Sequence, residues 1–217
     1  FRFLEIGCRL PEPDISSAVT LARNTDAVII VVGSADNYET EGEDRPSMKL
    51  TGKQDKLIES ILNVNDNTVV IMNTGSPIEM PWVSSCPAIL QVWLPGQEGG
   101  NAISNILFGN VNPSGKLPVT FPIALEDNPS YKYYPGNDEV EYSEGIYVGY
   151  RYYDTKNVAP LFPFGHGLSY TKFEYSNFNC PIEVSSLKNV ELKFIIKNVG
   201  KTQGQEVVQC YVRDVES

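Results

Sequence analysis

Histidine is nearly absent from this chain: His166 stands alone among 217 residues, and no Gly-x-Ser-x-Gly elbow accompanies it. A Ser–His–Asp triad would have to use this one residue. Set between Gly165 and Gly167 and next to aromatics, it reads instead as a structural side chain. Cations are also short, with 17 Lys and Arg against 27 Asp and Glu and a net charge of −10. Phosphate backbones and anionic membrane surfaces require clustered Lys and Arg, so both are excluded as partner classes. A neutral substrate such as a sugar fits the balance. No apolar run approaches the ~20 residues of a transmembrane helix, and Phe1-Arg2-Phe3-Leu4 is no signal peptide. The compartment, whether secreted, periplasmic or cytoplasmic, stays open. Cys8, Cys86, Cys180 and Cys210 form no C-x-x-C pair, which argues against structural zinc. Their even number leaves disulfides open without establishing an oxidising environment. No Asn-x-Ser/Thr acceptor survives the proline exclusion.

What is present is an ordinary globular balance, 41% apolar and 20% charged. The length suits one large domain, or one domain and part of another. Asp14 caps a predicted helix with apolar positions Ile15, Ala18, Val19 and Ala22. Ala27 to Val32 is an unbroken apolar run, expected to be a strand buried on both faces. Thr51-Gly52-Lys53-Gln54 reads as a capping box opening a helix with Leu57, Ile58, Ile61 and Leu62 on one stripe. The cycle repeats with strands at Thr68–Met72 and Ala88–Trp93, a short helical piece at Glu79–Val83, and a helix at Gln97–Phe108 closed by Gly109. Strands alternating with helices predict an α/β fold, a three-layer sandwich around a mostly parallel sheet. All three strand ends then share one edge.

From Pro122 the pattern changes. Residues 123–165 are rich in Tyr, Pro and Gly and read as a wrapping segment with short strands, one at Gly145–Tyr153. From about Phe173 the pattern turns to β. Val190–Ile196 and Glu206–Val212 flank Gly200–Gly204 and predict a hairpin from a β-sandwich. A complete sandwich takes ~100 residues, so the second domain is expected to be cut short.

Gly33-Ser34-Ala35-Asp36-Asn37-Tyr38-Glu39-Thr40-Glu41-Gly42-Glu43-Asp44-Arg45 follows the first buried strand and holds five carboxylates. Ligands of open α/β sheets bind beyond the carboxyl ends of the strands. Three readings of this loop stand side by side: a solvated loop braced by an Asp44–Arg45 ion pair, a catalytic carboxylate, or a hard-cation site. The EF-hand order fails. Gly109-Asn110-Val111-Asn112-Pro113-Ser114-Gly115-Lys116-Leu117 is no P-loop, because its glycine spacing is one too long and Leu117 stands where Ser or Thr must bind magnesium. The tyrosines from Tyr131 to Tyr153 suit either packing between domains or stacking on sugar rings, and Trp93 at a strand end faces the same choice.

Four motifs in order carry a resemblance. Glu41-Gly42-Glu43-Asp44-Arg45 with Leu50-Thr51-Gly52-Lys53-Gln54 comes first. Trp93-Leu94-Pro95-Gly96-Gln97-Glu98-Gly99-Gly100 with Gly109–Pro118 follows, then Glu144–Tyr153 and Phe162–Tyr170. From about Gly7 the chain resembles glycoside hydrolase family 3, the β-glucosidase family. The resemblance implies that residues 1–172 are most of that family's C-terminal α/β domain, lacking its first elements. Residues 173–217 would be the start of a fibronectin type III-like domain. It implies hydrolysis of terminal β-linked sugars with retention, by two carboxyl groups ~5–5.5 Å apart, and no cofactor or metal. In the family the nucleophile is an aspartate in a Ser-Asp-Trp setting on a separate TIM-barrel domain; these residues contain no Ser-Asp-Trp and no Lys-His-Phe. The position matching the family's acid/base is Glu41, with Gly42 giving the turn and Asp44 and Arg45 bracing it. Tyr38, where many relatives have Trp, and Trp93 become the expected sugar contacts. The partners implied are a β-glucoside or oligosaccharide and the barrel domain; family members often dimerise, although no residue here carries that. A non-catalytic scaffold or carbohydrate-binding module, or a β-xylosidase of the same family, are the alternatives. In this chain by itself Glu41 is expected to be an ordinary, exposed or mobile glutamate without activity.

Overall fold

The structure is a computed structural model that describes residues 14–34, 38–40, 42–136, 138–181 and 189–213. It divides into two compact units, Phe1–Gly99 with Val119–Phe164, and Gly100–Pro118 with Gly165–Ser217.

In the first unit, helix α1 (Ile15–Arg23) starts where expected. The Asp14 carboxylate accepts the Ser16 and Ser17 backbone N–H groups at 3.1 and 3.2 Å. Those are two of the donors that a helix start leaves without an intrahelical partner. Side-chain hydrogen bonds from Ser17 and Ser16 are the main cause of an Asp14 pKa lowered to about 2. The other end of α1 is tied by Asn65, whose Nδ2 donates to the Ala22 and Thr25 carbonyls at 2.8 and 2.9 Å. Helix α2 (Gln54–Leu62) packs on α1 and on the strand Thr68–Asn73, burying Ile58, Ile61 and Leu62 as the apolar stripe requires. In its first turn Asp55 accepts from Trp82 Nε1 at 2.8 Å, which ties the helix to the Met80–Trp82 segment.

Strands β1 (Val28–Gly33), β2 (Thr68–Asn73) and β3 (Ala88–Gln91) form a parallel sheet in sequence order. The register runs from Val28 opposite Thr68 to Gly33 opposite Asn73, and from Val69 opposite Ala88 to Met72 opposite Gln91. The central strand is the most buried, with Val70 and Met72 fully enclosed and Ile71 nearly so. The edge strand β1 departs from the expected two-sided burial. Ile30 and Val32 are buried, but Ile29 and Val31 are 52% and 65% exposed. Ile71, beside Val31 in the register, is covered on that same face. The cover therefore reaches β2, and among the described residues it stops short of β1. A continuous apolar run cannot reveal this, because it specifies which residues tolerate burial and not whether anything lies over them.

Other local expectations are corrected too. The capping box does not form: Lys53 is the N-cap residue and makes no side-chain capping bond, and the Gln54 side chain bonds both Gly33 and Thr51. The helical piece expected at Glu79–Val83 is a single 3₁₀ turn at Val83–Ser85. Gly145–Tyr153 does not form a strand. Its C-terminal half opens helix α4 (Tyr150–Lys156), which buries Tyr153 and stacks Tyr150 on Phe164 at 5.4 Å between ring centroids. The segment also holds a 3₁₀ turn at Leu125–Asp127 and is fixed by an antiparallel bridge between Phe121 and Phe162.

In the second unit, helix α3 (Gly99–Leu107) is followed by Gly109 at φ 74°, a left-handed conformation suited to glycine. The side chain of Asn112 accepts from Tyr170 N and Ser169 Oγ at 2.8 and 3.1 Å, so the Asn-Pro-Ser-Gly turn is a structural tie. The expected hairpin is replaced by another pairing. Strand β5 (Lys193–Asn198) pairs antiparallel with β4 (Phe173–Asn179). Asn198 takes over the chain after β5, accepting from Thr171 Oγ1 and Gly200 N and donating to the Thr202 carbonyl. Residues 206–212 make side-chain ties instead of a ladder: Glu206 pairs with Lys116 at 3.4 Å, and Gln209 donates to the Gly165 carbonyl at 2.9 Å. Nearly every residue of β4 and β5 is exposed, as in one sheet of a partial sandwich. The architecture is thus α/β followed by a partial β-sandwich.

One-sided cover of the sheet has a measurable consequence. Ile58→Ala should lower unfolding free energy by about 2–5 kcal/mol, the range for a fully buried aliphatic side chain. Ile29→Ala should change it by about 0.5 kcal/mol or less. Urea unfolding of both variants tests this, and equal losses would mean β1 is covered on both faces.

Candidate active site

The carboxyl ends of β1, β2 and β3 lie on one edge, and the acidic loop starts there. Gly33 closes β1 against β2 so tightly that a Cβ would overlap the Asn73 carbonyl oxygen. Gln54 fastens the same residue: its Oε1 accepts from Gly33 N and its Nε2 donates to the Gly33 carbonyl, both at 2.9 Å. The side chain thus imitates one rung of a strand ladder, and α2 holds the point where the loop departs.

Within the loop Glu39 is a partly buried anchor. Its Oε2 accepts from Gly75 N at 2.9 Å, and its Oε1 accepts from Ser76 Oγ at 2.5 Å and Arg45 Nη1 at 3.2 Å. Glu39 and Arg45 side chains are each only 18% exposed. Burial works against the charged form of Glu39. The hydrogen bonds from Ser76 and Gly75 and the Arg45 charge outweigh it and hold the pKa below the ordinary 4.5. Arg45 Nη1 also donates to Ser76 Oγ and, at 3.4 Å, to the Pro77 carbonyl. Its guanidinium lies 5.3 Å from the centroid of the Tyr38 ring, a cation–π arrangement. Arg45, Ser76 and Thr120 help line a cavity of about 280 Å³.

The residues singled out in the sequence fall into separate places. Tyr38 is half-buried, with its hydroxyl donating to the Ser47 carbonyl at 2.9 Å and its ring under Arg45. Asp44 does not pair with Arg45. It is exposed and accepts the Tyr134 hydroxyl at 2.9–3.0 Å, and that hydrogen bond together with the Asp44 charge pushes the Tyr134 pKa up. Gly42 is exposed, with open space where a Cβ would stand and no left-handed φ, so the turn does not demand glycine there. Trp93 sits two residues beyond β3, its ring edge-on to Phe121 with centroids 6.0 Å apart. Its φ of 54° is an outlier for a bulky residue. Strain of that kind costs on the order of 1–3 kcal/mol and gathers at functional sites. Leu94, the next residue, and the Glu39 carboxylate both lie within contact reach of a Cβ built on Gly75, so the β2 and β3 ends and the loop meet there. Asp36 and Glu41 lie outside the described residues.

Glu39, Gly75, Ser76 and Gln54 were not identified as site residues from the sequence. The only signal was position: Gly75 and Ser76 follow a predicted strand end, and Glu39 lies two residues before Glu41. The arrangement also separates the carboxylates. Glu39 is held ionised and cannot act as a proton donor near neutral pH, and Asp44 is engaged by Tyr134. Glu43 is exposed.

An open parallel sheet whose carboxyl edge carries an anchored, carboxylate-rich loop defines an α/β domain. Residues 5–170 match the family model described as the glycosyl hydrolase family 3 C-terminal domain. The chain belongs to that family. It is 50% identical over 212 residues to "Thermostable beta-glucosidase B" of Acetivibrio thermocellus, covering 96% of this chain and 28% of that protein. To a "Beta-glucosidase" of Rhizobium radiobacter it is 45% identical over 216 residues, 96% of this chain and 26% of the relative. Among solved structures, the β-glucosidase of Kluyveromyces marxianus in complex with glucose superposes with a TM-score of 0.81 at 38% identity, covering 87% of this chain and 22% of that one. The chain therefore spans about a quarter of the length of the curated relatives it matches.

The Glu39 anchor predicts a pH signature. A carboxylate with a lowered folded pKa contributes stability that is fully present above the unfolded value and is lost as pH falls through the folded one. The stability difference between wild type and Glu39→Gln should be largest above pH 4.5 and shrink on acidification below it. Urea unfolding from pH 3 to 7 measures it, and a pH-independent difference would contradict the ionised anchor.

Proposed function

We propose that these residues supply the acid/base half of a retaining β-glucosidase that removes terminal non-reducing β-linked glucose. The family match over residues 5–170 carries this reading, supported by relatives named β-glucosidases and by the placement of the loop at the carboxyl edge of the sheet. Glu41 is the proton donor. In the first half-reaction its carboxyl protonates the departing glycosidic oxygen while a nucleophilic carboxylate attacks the anomeric carbon. In the second, the Glu41 carboxylate takes a proton from water as that water cleaves the glycosyl-enzyme ester. The nucleophile is an aspartate of a TIM-barrel domain beyond these 217 residues, and the residues alone perform no hydrolysis.

Cycling between the two protonation states requires a Glu41 pKa near working pH. Burial against the barrel and a neighbouring carboxylate both raise it. Tyr38 and Trp93 contact the sugar or its aglycone in this reading, with the strained Trp93 backbone as the supporting observation. Residues 1–172 correspond to the family's α/β domain and residues 173–217 to the start of a fibronectin type III-like module. The exposed β4–β5 sheet supports that assignment.

Glu41→Gln in the intact glycosidase should lower kcat/KM for aryl β-glucosides with poor leaving groups by about 10²–10⁴-fold. Substrates with good leaving groups should lose much less, because they depart without protonation. Glu43→Gln is the loop-charge control. Equal losses for both substrate classes would rule out Glu41 as the general acid.

A further inference from the structure

We infer that Glu39 is the positioning residue of this site, locking the loop that carries Glu41 onto the carboxyl end of β2; the inference rests on the proposed role of Glu41. Its chain of observations is independent of that role. The Glu39–Arg45 ion pair spans the five residues between them in the sequence, position 41 among them. The pair is attached to the segment following β2 at three points: Gly75 N and Ser76 Oγ on Glu39, and the Pro77 carbonyl on Arg45. Gly75 leaves room for this, since a Cβ there would stand 3.2 Å from Glu39 Oε2. β2 is the most buried strand of the unit, so the loop is referenced to its most rigid element.

The chemistry of the anchor is specific to glutamate. Both carboxylate oxygens act as acceptors, one for a backbone N–H and one for a hydroxyl and a guanidinium. Glutamine keeps the shape but turns one acceptor into a donor facing another donor, and removes the charge opposite Arg45. Aspartate is one methylene short of its partners. A general acid displaced by about 1 Å loses on the order of 10²-fold in rate.

The test uses the intact glycosidase with Glu39→Gln, Ser76→Ala and Glu41→Gln, read by two measurements. In the first, Glu39→Gln should lose about 10- to 100-fold in kcat for poor leaving groups, with a much smaller loss for good ones. In the second, backbone hydrogen exchange across residues 38–45 and at Gly75 should speed up about tenfold, the loss of one anchoring contact, while the β1 and β2 cores stay protected. Ser76→Ala removes one hydroxyl without altering charge and should move both readouts in the same direction by less; it carries the test if Glu39→Gln fails to fold. Leaving-group-independent losses, or wild-type exchange in the loop, would overturn the positioning role. A flat response of Glu41→Gln would overturn both assignments, whereas a selective Glu41→Gln beside a flat Glu39→Gln would overturn this one alone.

Discussion

A carboxylate taken out of water must find its hydrogen bonds inside the protein, and Glu39 finds them on the segment that follows β2. Gly75 N, Ser76 Oγ and Arg45 Nη1 together replace its hydration shell. Everything at the sheet edge follows from this arrangement. Arg45 can lie over Tyr38 because Glu39, Ser76 and Pro77 hold one of its terminal nitrogens. A Cβ at Gly75 would press on the carboxylate, 3.2 Å away. Removing either member of the pair would leave the other partly buried and uncompensated, which is more damaging than the net worth of the pair itself.

The loop also shows how one acidic segment divides labour. Five carboxylates look equivalent in sequence, yet the described ones Glu39 and Asp44 have different partners. Glu39 is held ionised by three donors. Asp44 spends its oxygens on the Tyr134 hydroxyl, tying the loop to a segment ninety residues away. Environment alone separates a structural anion from a group free to exchange protons. Gln54 works at the loop's root in the same spirit. A side chain that looks like half of a capping box serves as a ladder rung for Gly33.

Much of the fold was legible in the residues because its signals are local. The Asp14 cap, the α2 stripe, the three apolar strands and Gly109 after α3 are each set within a few positions of sequence, and each appears where its pattern placed it. The misses share a cause. Residues 206–212 have good strand composition, but β5 pairs with β4, and Asn198 diverts the chain between them. Gly145–Tyr153 is rich in residues favoured in strands, yet burial of Tyr153 and stacking of Tyr150 on Phe164 draw its second half into a helix. Tertiary partners outweighed propensities worth about 1 kcal/mol or less per residue.

The sequence by itself determined the α/β class and the family, because periodicity and motif order survive without coordinates. Tertiary structure alone decided how the described carboxylates of the acidic loop are engaged, that Arg45 answers Glu39 and not its neighbour Asp44, and that among the described residues nothing covers one face of β1. A pairing between Glu39 and the residues after β2 spans more than thirty positions. Such a contact leaves no periodic trace in the chain, since its energy depends on the fold having already brought the two ends together.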